Sequence, residues 1–158
     1  MKTAIIATVA ALAFSVAASA QQPVMQPIDV MKITPEQEIV FIPSKTTPGV
    51  AQAVLLGDPS VPGQLYVVRN KFSPGTFSKP HFHPETRYIQ VIKGTWWVGS
   101  GPVQDLNKTT PVKAGGFVVH YPNKIHWDGA KDEETIVQIS GIGPSATVRV
   151  DESGQPVK

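Results

Sequence analysis

The chain has 158 residues, with 14 Lys and Arg against 12 Asp and Glu, and a formal net charge of +2. This length suits one domain with a substantial core, and the near-neutral balance without a basic patch argues against a nucleic-acid partner. The chain has no Cys, which excludes disulfides and thiolate ligands and leaves His, carboxylate and water for any metal site.

The first twenty residues have the layout of a secretory signal peptide. Lys2 supplies a positive start, residues 5–16 are apolar or small, and residues 17–20 end in an Ala-x-Ala pattern. The apolar run is shorter than the roughly 20 residues that a membrane span needs. We therefore expect cleavage near Ala20, a periplasmic or secreted mature protein, and no membrane contact after cleavage.

The next segment, residues 21–48, is rich in Pro and Gln and contains one β-like run, Glu38–Pro43. We interpret this segment as an N-terminal arm with one short strand. Such an arm is either a disordered leader or a segment that wraps the domain or exchanges with a second subunit, which would give a homodimer.

From Val50 onward, short apolar or alternating runs are separated by turns rich in Gly and Pro. The candidate strands are Val50–Leu56, Gln64–Phe72, Thr76–His83, Arg87–Lys93, Thr95–Gly99, Phe117–Tyr121, Ile125–Asp128, Glu134–Ser140 and Ala146–Val150. Many short strands with regular turns predict an all-β sandwich or barrel. We assign this domain to residues 49–150 and a tail to residues 151–158.

Two of the four histidines lie one residue apart, at His81 and His83. Side chains of a strand alternate between its faces, so these two imidazoles share a face and can chelate one divalent ion. A third ligand has to come from elsewhere, and His126, after a turn that begins a return strand, is the natural candidate. A His-x-His pair alone is weak evidence, because two ordinary strand residues facing solvent would look the same.

The surrounding residues strengthen the metal-site interpretation. The segment "GTFSKPHFHPETRYIQVIKG" (Gly75–Gly94) resembles the first motif of the cupins, and "GFVVHYPNKIH" (Gly116–His126) resembles their second. The resemblance covers roughly residues 50–150. It implies a cupin-type β-barrel, also described as a jelly roll or double-stranded β-helix. It also implies one divalent transition metal held by His81, His83 and His126.

Position 87 departs from the cupin pattern, because the resemblance places a glutamate ligand there and this chain has Arg87. The nearest acid is Glu85, which follows Pro84 and so falls in the turn between strands. Either Glu85 bends inward as the fourth ligand, or water and substrate fill the open positions, and we favour the second. Arg87 then pairs with Glu85 or clamps a substrate carboxylate or enolate, unless it forms only a weak surface ion pair.

Two further residues are candidates for the site. Trp96 and Trp97 must face opposite sides of a strand, and by analogy with cupin strands Trp96 points inward, as a substrate contact or as core. His120 either supports the metal ligands or transfers protons at the site, or it is an ordinary strand residue with no role there.

The fold implied by the resemblance does not name a reaction. The first hypothesis is a metalloenzyme of dioxygenase-like type acting on a small enol, diketone or carboxylate. The second is a non-catalytic periplasmic protein that binds a small ligand or a metal, and the third is a vestigial site in a barrel that serves dimer assembly. Imidazole ligands suit Fe, Zn, Ni and Cu, and the sequence does not choose among these or Mn.

Overall fold

The computed structural model describes residues 30–157, so the signal peptide predicted at residues 1–20 and the start of the predicted arm lie outside the described residues. The residues from Thr34 onward form one compact unit, which begins inside the predicted arm, and residues 30–33 belong to a separate unit. Within the described part of the chain, no helix is long and apolar enough to cross a membrane.

The compact unit is built from eleven β-strands and two short 3-10 turns, at Glu36–Glu38 and Leu106–Lys108. The strands are β1 Ile42–Pro43, β2 Val50–Leu56, β3 Leu65–Phe72, β4 His81–Phe82, β5 Arg87–Lys93, β6 Thr95–Ser100, β7 Thr110–Lys113, β8 Phe117–His120, β9 His126–Gly129, β10 Thr135–Ile142 and β11 Val148–Arg149. The prediction of an all-β fold is confirmed.

The strands form two antiparallel sheets rather than one closed barrel, in a jelly-roll arrangement. The first sheet has the order β1-β2-β3-β10-β5-β8, and the second has the order β11-β4-β9-β6-β7. Strands that are distant in sequence are neighbours in both sheets, so residues far apart along the chain meet on the inner faces. This crossover is what brings the two candidate motifs together.

The core lies between the sheets, because the inward side chains of both contribute to one apolar cluster. Its buried members are Tyr66, Val68, Phe72, Ile89, Val91, Trp96, Ala130, Val137 and Ile139. Strand β5 shows how the sequence produces this packing. Its burial alternates residue by residue, with Arg87, Ile89 and Val91 inward and Tyr88 exposed, as a strand with one buried face requires. Arg87 therefore enters the interior on the same face as the core.

Two strand predictions differ from the structure for reasons connected with proline. The predicted strand Thr76–His83 shrinks to β4, because Pro80 just before it has no N–H to donate to a ladder. Strand β7 was missed because Pro111 interrupts a short polar run. Pro111 is tolerated there since β7 lies at the edge of its sheet and pairs only with β6. Within residues 30–48, the described part of the predicted arm, β1 is the one strand, and it pairs with β2 of the same chain.

Candidate metal centre

The second sheet places three histidines side by side on its inner face. His81 in β4 and His126 in β9 are direct partners across the antiparallel pair, and His83 follows two residues after His81. All three side chains are buried. The nitrogens that they offer as ligands lie within 4.8 Å of one another, and His81 Nε2 is 3.2 Å from His83 Nε2. The geometry is that of a three-imidazole pocket.

Backbone carbonyls fix the orientation and the tautomer of these rings. Each Nδ1 lies within hydrogen-bond distance of a carbonyl oxygen: Lys79 at 2.6 Å from His81, Ala146 at 2.7 Å from His83 and Lys124 at 2.9 Å from His126. A carbonyl only accepts, so each Nδ1 carries the proton and donates it. Each Nε2 then keeps a lone pair for a ligand role, which is the arrangement that metal-binding histidines use.

Burial keeps two of these imidazoles neutral. Desolvation, reinforced by the charge of Arg87, holds the pKa of His83 far below its usual range. Burial also lowers the pKa of His126, although the nearby Asp128 carboxylate acts in the opposite direction. A neutral imidazole is the form that binds a metal ion, so no proton has to leave these rings at neutral pH.

The fourth histidine, His120, enters the pocket from the first sheet. Its ring centroid is 3.8 Å from that of His126, and its ring stacks over His83 at 6.1 Å with an interplanar angle of 9°. Burial is the main cause that lowers the pKa of His120 to about 2. Its Nδ1 is buried without a hydrogen-bond partner. His120 thus contacts His126 directly and lies parallel to the His83 ring.

Asp128 is a site residue that the sequence reasoning missed. It lies in β9 two residues after His126, and it is only 6% exposed. Its Oδ2 is 3.8 Å from His126 Nε2, and with His120 and His126 it forms a second group of ligand atoms within 4.8 Å. Strand alternation was the available signal, because residues i and i+2 of a strand share a face.

Arg87 is the most unusual member of the site. Its side chain is only 8% exposed, and Nη1 lies 2.5 Å from His83 Nε2 and 3.1 Å from His83 Nδ1. These two distances place Nη1 against the face of the His83 ring, beside Nε2 and its lone pair. The Nε of Arg87 is buried with no partner. Strand pairing sets its position, since Arg87 is opposite His120 across β5 and β8.

Glu85 does not join the cluster of ligand atoms. Both of its carboxylate oxygens are buried and have no hydrogen-bond partner. No ion pair joins Glu85 to Arg87 among the ion pairs of residues 30–157. Glu85 therefore lies outside both groups of ligand atoms that could hold an ion. The pairing of Arg87 with Glu85, which the sequence left as one option, is not what the structure shows.

The site opens into a cavity of about 1200 Å³ between the sheets. Its polar lining includes His81, His83 and His120 together with Arg87 and Asp128. Apolar walls surround these polar groups, and they come from Phe72, Ile89, Trp96, Val137 and Ile139. The Trp96 ring is 5.6 Å from that of His120, whereas Trp97 lies on the other face of β6 beneath Lys131. A concave apolar pocket with a few convergent polar groups is typical of a small-molecule site.

The donor set fits a divalent transition ion. His126 Nε2 is buried and has no partner, and its lone pair lies 3.8 Å from a carboxylate oxygen of Asp128. Two electron-rich groups that meet without a proton between them are suited to a cation, and imidazole with carboxylate is a ligand set for Fe, Zn, Ni or Cu. Arg87 opposes this ion, because its positive charge lies where the resemblance places a carboxylate.

No family model matches the chain, and no curated protein matches it. Solved structures do match. A polyketide cyclase, RemF from Streptomyces resistomycificus, is 16% identical over 78% of this chain and 89% of its own, with a TM-score of 0.61. A protein from Klebsiella pneumoniae with a double-stranded β-helix domain is 22% identical over 80% of this chain and 98% of its own, with a TM-score of 0.59.

A cupin-like protein from Thermotoga maritima has 25% identity over 61% of this chain and 74% of its own, with a TM-score of 0.50. These likenesses agree with the two-sheet topology. By its fold, this chain is a member of the cupin superfamily.

Proposed function

We propose that this cupin binds one divalent transition metal through His81, His83 and His126 and acts on a small oxygenated anion. One observation carries the proposal. Three buried imidazoles place ligand nitrogens within 4.8 Å of one another while backbone carbonyls hold every Nδ1. Such fixed second partners orient metal-binding histidines and leave the Nε2 lone pairs for an ion.

The other residues suit a substrate with an enol, diketone or carboxylate group. Arg87 offers a planar set of donors that matches a carboxylate or enolate, and its Nε is still unpartnered. Trp96 supplies an apolar wall that excludes water beside the reacting atoms. His120 is neutral and in contact with His126, so it adds no positive charge beside the proposed ligands. The metal, when bound, supplies Lewis acidity and, if it is iron, dioxygen chemistry.

The metal proposal is tested by the metal content of the purified protein. We expect about one divalent ion per chain in wild type, measured by elemental analysis, and loss of that ion from His83→Ala. The matched control is Asn70→Ala, which removes another polar side chain of the same cavity and leaves the histidines in place. Full metal occupancy in His83→Ala would refute the ligand assignment.

A non-catalytic ligand-binding protein is the second candidate, because the same cavity would serve capture without turnover. The two candidates differ in oxygen consumption by iron-loaded protein offered a panel of small diketones, enols and hydroxy acids. An enzyme of dioxygenase-like type consumes oxygen with at least one of them, and it loses that activity in His83→Ala. Tight binding of a panel member without oxygen consumption favours the second candidate.

We also propose export and a homodimer, both from the sequence. Export predicts a mature protein whose first residue is Gln21, which N-terminal sequencing or intact mass after expression in a secreting host would reveal. A homodimer predicts twice the chain mass in light scattering after size-exclusion chromatography. A molecular mass of one chain would refute the dimer.

A further inference from the structure

We propose that metal binding and the binding of a small carboxylate are coupled through His83, with Arg87 moving from His83 to the carboxylate when the metal enters. This inference rests on the proposed metal site. It goes further in assigning Arg87 two alternative partners, and it names a monocarboxylate as the ligand class that controls which partner Arg87 takes.

The first step concerns the lone pair of His83. Its Nδ1 proton is committed to the Ala146 carbonyl at 2.7 Å, which leaves Nε2 with one lone pair. Arg87 Nη1 lies 2.5 Å from that nitrogen and 3.1 Å from Nδ1, which places the guanidinium against the ring face beside the lone pair. An ion bound to that lone pair would lie next to the guanidinium, and like charges in such close contact repel each other. A metal that uses His83 therefore has to displace Arg87.

The second step concerns what Arg87 does after displacement. The guanidinium is 8% exposed, its Nε has no partner, and no carboxylate pairs with it within residues 30–157. A buried cation without a counter-charge is costly. The cavity of about 1200 Å³ beside it has room for a ligand, and a carboxylate offers two oxygens that match the guanidinium donors.

The third step concerns charge. The cavity is lined by three basic side chains, Lys79, Arg87 and Arg149, against one carboxylate, Asp128. A divalent ion adds two positive charges to this buried space, so a bound anion lowers the cost of its entry. Metal and anion thus favour each other, and linkage requires that each raise the affinity of the other by the same factor.

The experiment measures Co²⁺ affinity by equilibrium dialysis in a chloride buffer, with and without benzoate as a carboxylate that does not chelate. We expect benzoate to tighten Co²⁺ binding by wild type roughly tenfold, and Co²⁺ to tighten benzoate binding equally. In Arg87→Met, Co²⁺ binding without benzoate is expected to be roughly 10- to 100-fold tighter than in wild type, because the opposing positive charge is gone. Benzoate is then expected to have no effect.

The matched control is Arg69→Met, which removes an arginine that bonds Gln138 and does not line the cavity; it should behave as wild type. Circular dichroism confirms that each variant is folded, and if Arg87→Met does not fold, Arg87→Lys and the wild-type benzoate series decide. Arg87→Lys is expected to retain less than half of the benzoate effect, in free-energy terms, since it cannot bind bidentately.

Three results would overturn the coupling. One is Co²⁺ binding by Arg87→Met no tighter than by wild type. Another is an equal benzoate effect in both proteins, which would mean that the carboxylate binds the metal directly. The third is wild-type Co²⁺ affinity that benzoate leaves unchanged. If Co²⁺ still binds, these three results overturn the coupling and leave the proposed metal site intact. If neither wild type nor Arg87→Met binds Co²⁺, both the metal site and the coupling are overturned.

Discussion

The buried imidazoles of His83 and His120 should make the metal-free protein unstable in mild acid. In the unfolded chain, each imidazole takes up a proton as the pH falls through its ordinary pKa of 6.5. In the folded protein, burial holds both pKa values far lower, to about 2 for His120. The unfolded state therefore binds more protons below that pH, and the free energy of unfolding falls as the pH falls.

The size of the effect follows from the proton count. Between about pH 7 and about pH 5, protonation stabilises the unfolded chain by about 2 kcal/mol for each imidazole that stays neutral when folded, or about 4 kcal/mol for the two. His126, whose pKa burial also lowers, adds to the effect. Acidic side chains with lowered pKa values, such as Asp58 and Glu134, contribute mainly below about pH 4.5. Many domains have a total stability of only about 5–15 kcal/mol.

The assay is urea unfolding followed by tryptophan fluorescence at several pH values, with a chelator to remove metal. We expect the free energy of unfolding to fall by about 2.7 kcal/mol per pH unit between about pH 6 and pH 5, which corresponds to two protons. His120→Phe should reduce this slope by about one proton. A wild-type slope below one proton, or an unchanged slope in His120→Phe, would refute the assignment of buried neutral imidazoles.

Three further predictions concern single substitutions. Ile89→Ala should lower the free energy of unfolding by about 2–5 kcal/mol in urea melts, because Ile89 is 1% exposed in the core. Ile92 is 38% exposed on the same strand, so Ile92→Ala should lower this free energy by less than about 1 kcal/mol. Equal losses in the two variants would contradict this packing. Gly129→Ala should cost about 1–3 kcal/mol in the same assay, because a Cβ would lie 2.1 Å from the Thr76 carbonyl oxygen; an unchanged midpoint would contradict this close approach. Arg87→Glu should bind Co²⁺ more tightly than Arg87→Met in equilibrium dialysis, because a carboxylate attracts the ion, whereas methionine only removes the positive charge of arginine. Equal affinities would show that the side chain at position 87 does not reach the ion.

Local patterns were enough to predict much of the fold. Strands Val50–Leu56 and Arg87–Lys93 have the predicted bounds, because their apolar and alternating residues match the pleat and Gly or Pro turns flank them. Strand β7 was not predictable in this way, since an edge strand needs little apolar character and tolerates Pro111. Its existence depends on pairing with β6, which is information from outside the segment.

The candidate site was also predictable only where local patterns determine it. Strand alternation predicted that His81 and His83 share a face, and the same rule applied to β9 would have found Asp128. The contact of Arg87 with His83 was beyond this reasoning, because it depends on how the first sheet lies against the second. The sequence shows that position 87 carries an arginine, but the packing of the two sheets decides which side chain that arginine contacts.

The weak attachment of β4 has a consequence for how a bound ion would leave. This strand is two residues long, and it pairs with β11 at two positions and with β9 at one, whereas β9 pairs with β6 at four. Opening of β4 alone would carry His81 away from His126 and leave the rest of the second sheet paired. Local opening of this kind is governed by its own free energy, which amide hydrogen exchange reports. The rate at which the ion leaves would then be set by the rate at which this short strand opens. A bound ion would in turn hold β4 against β9, because it would cross-link residues far apart in the chain.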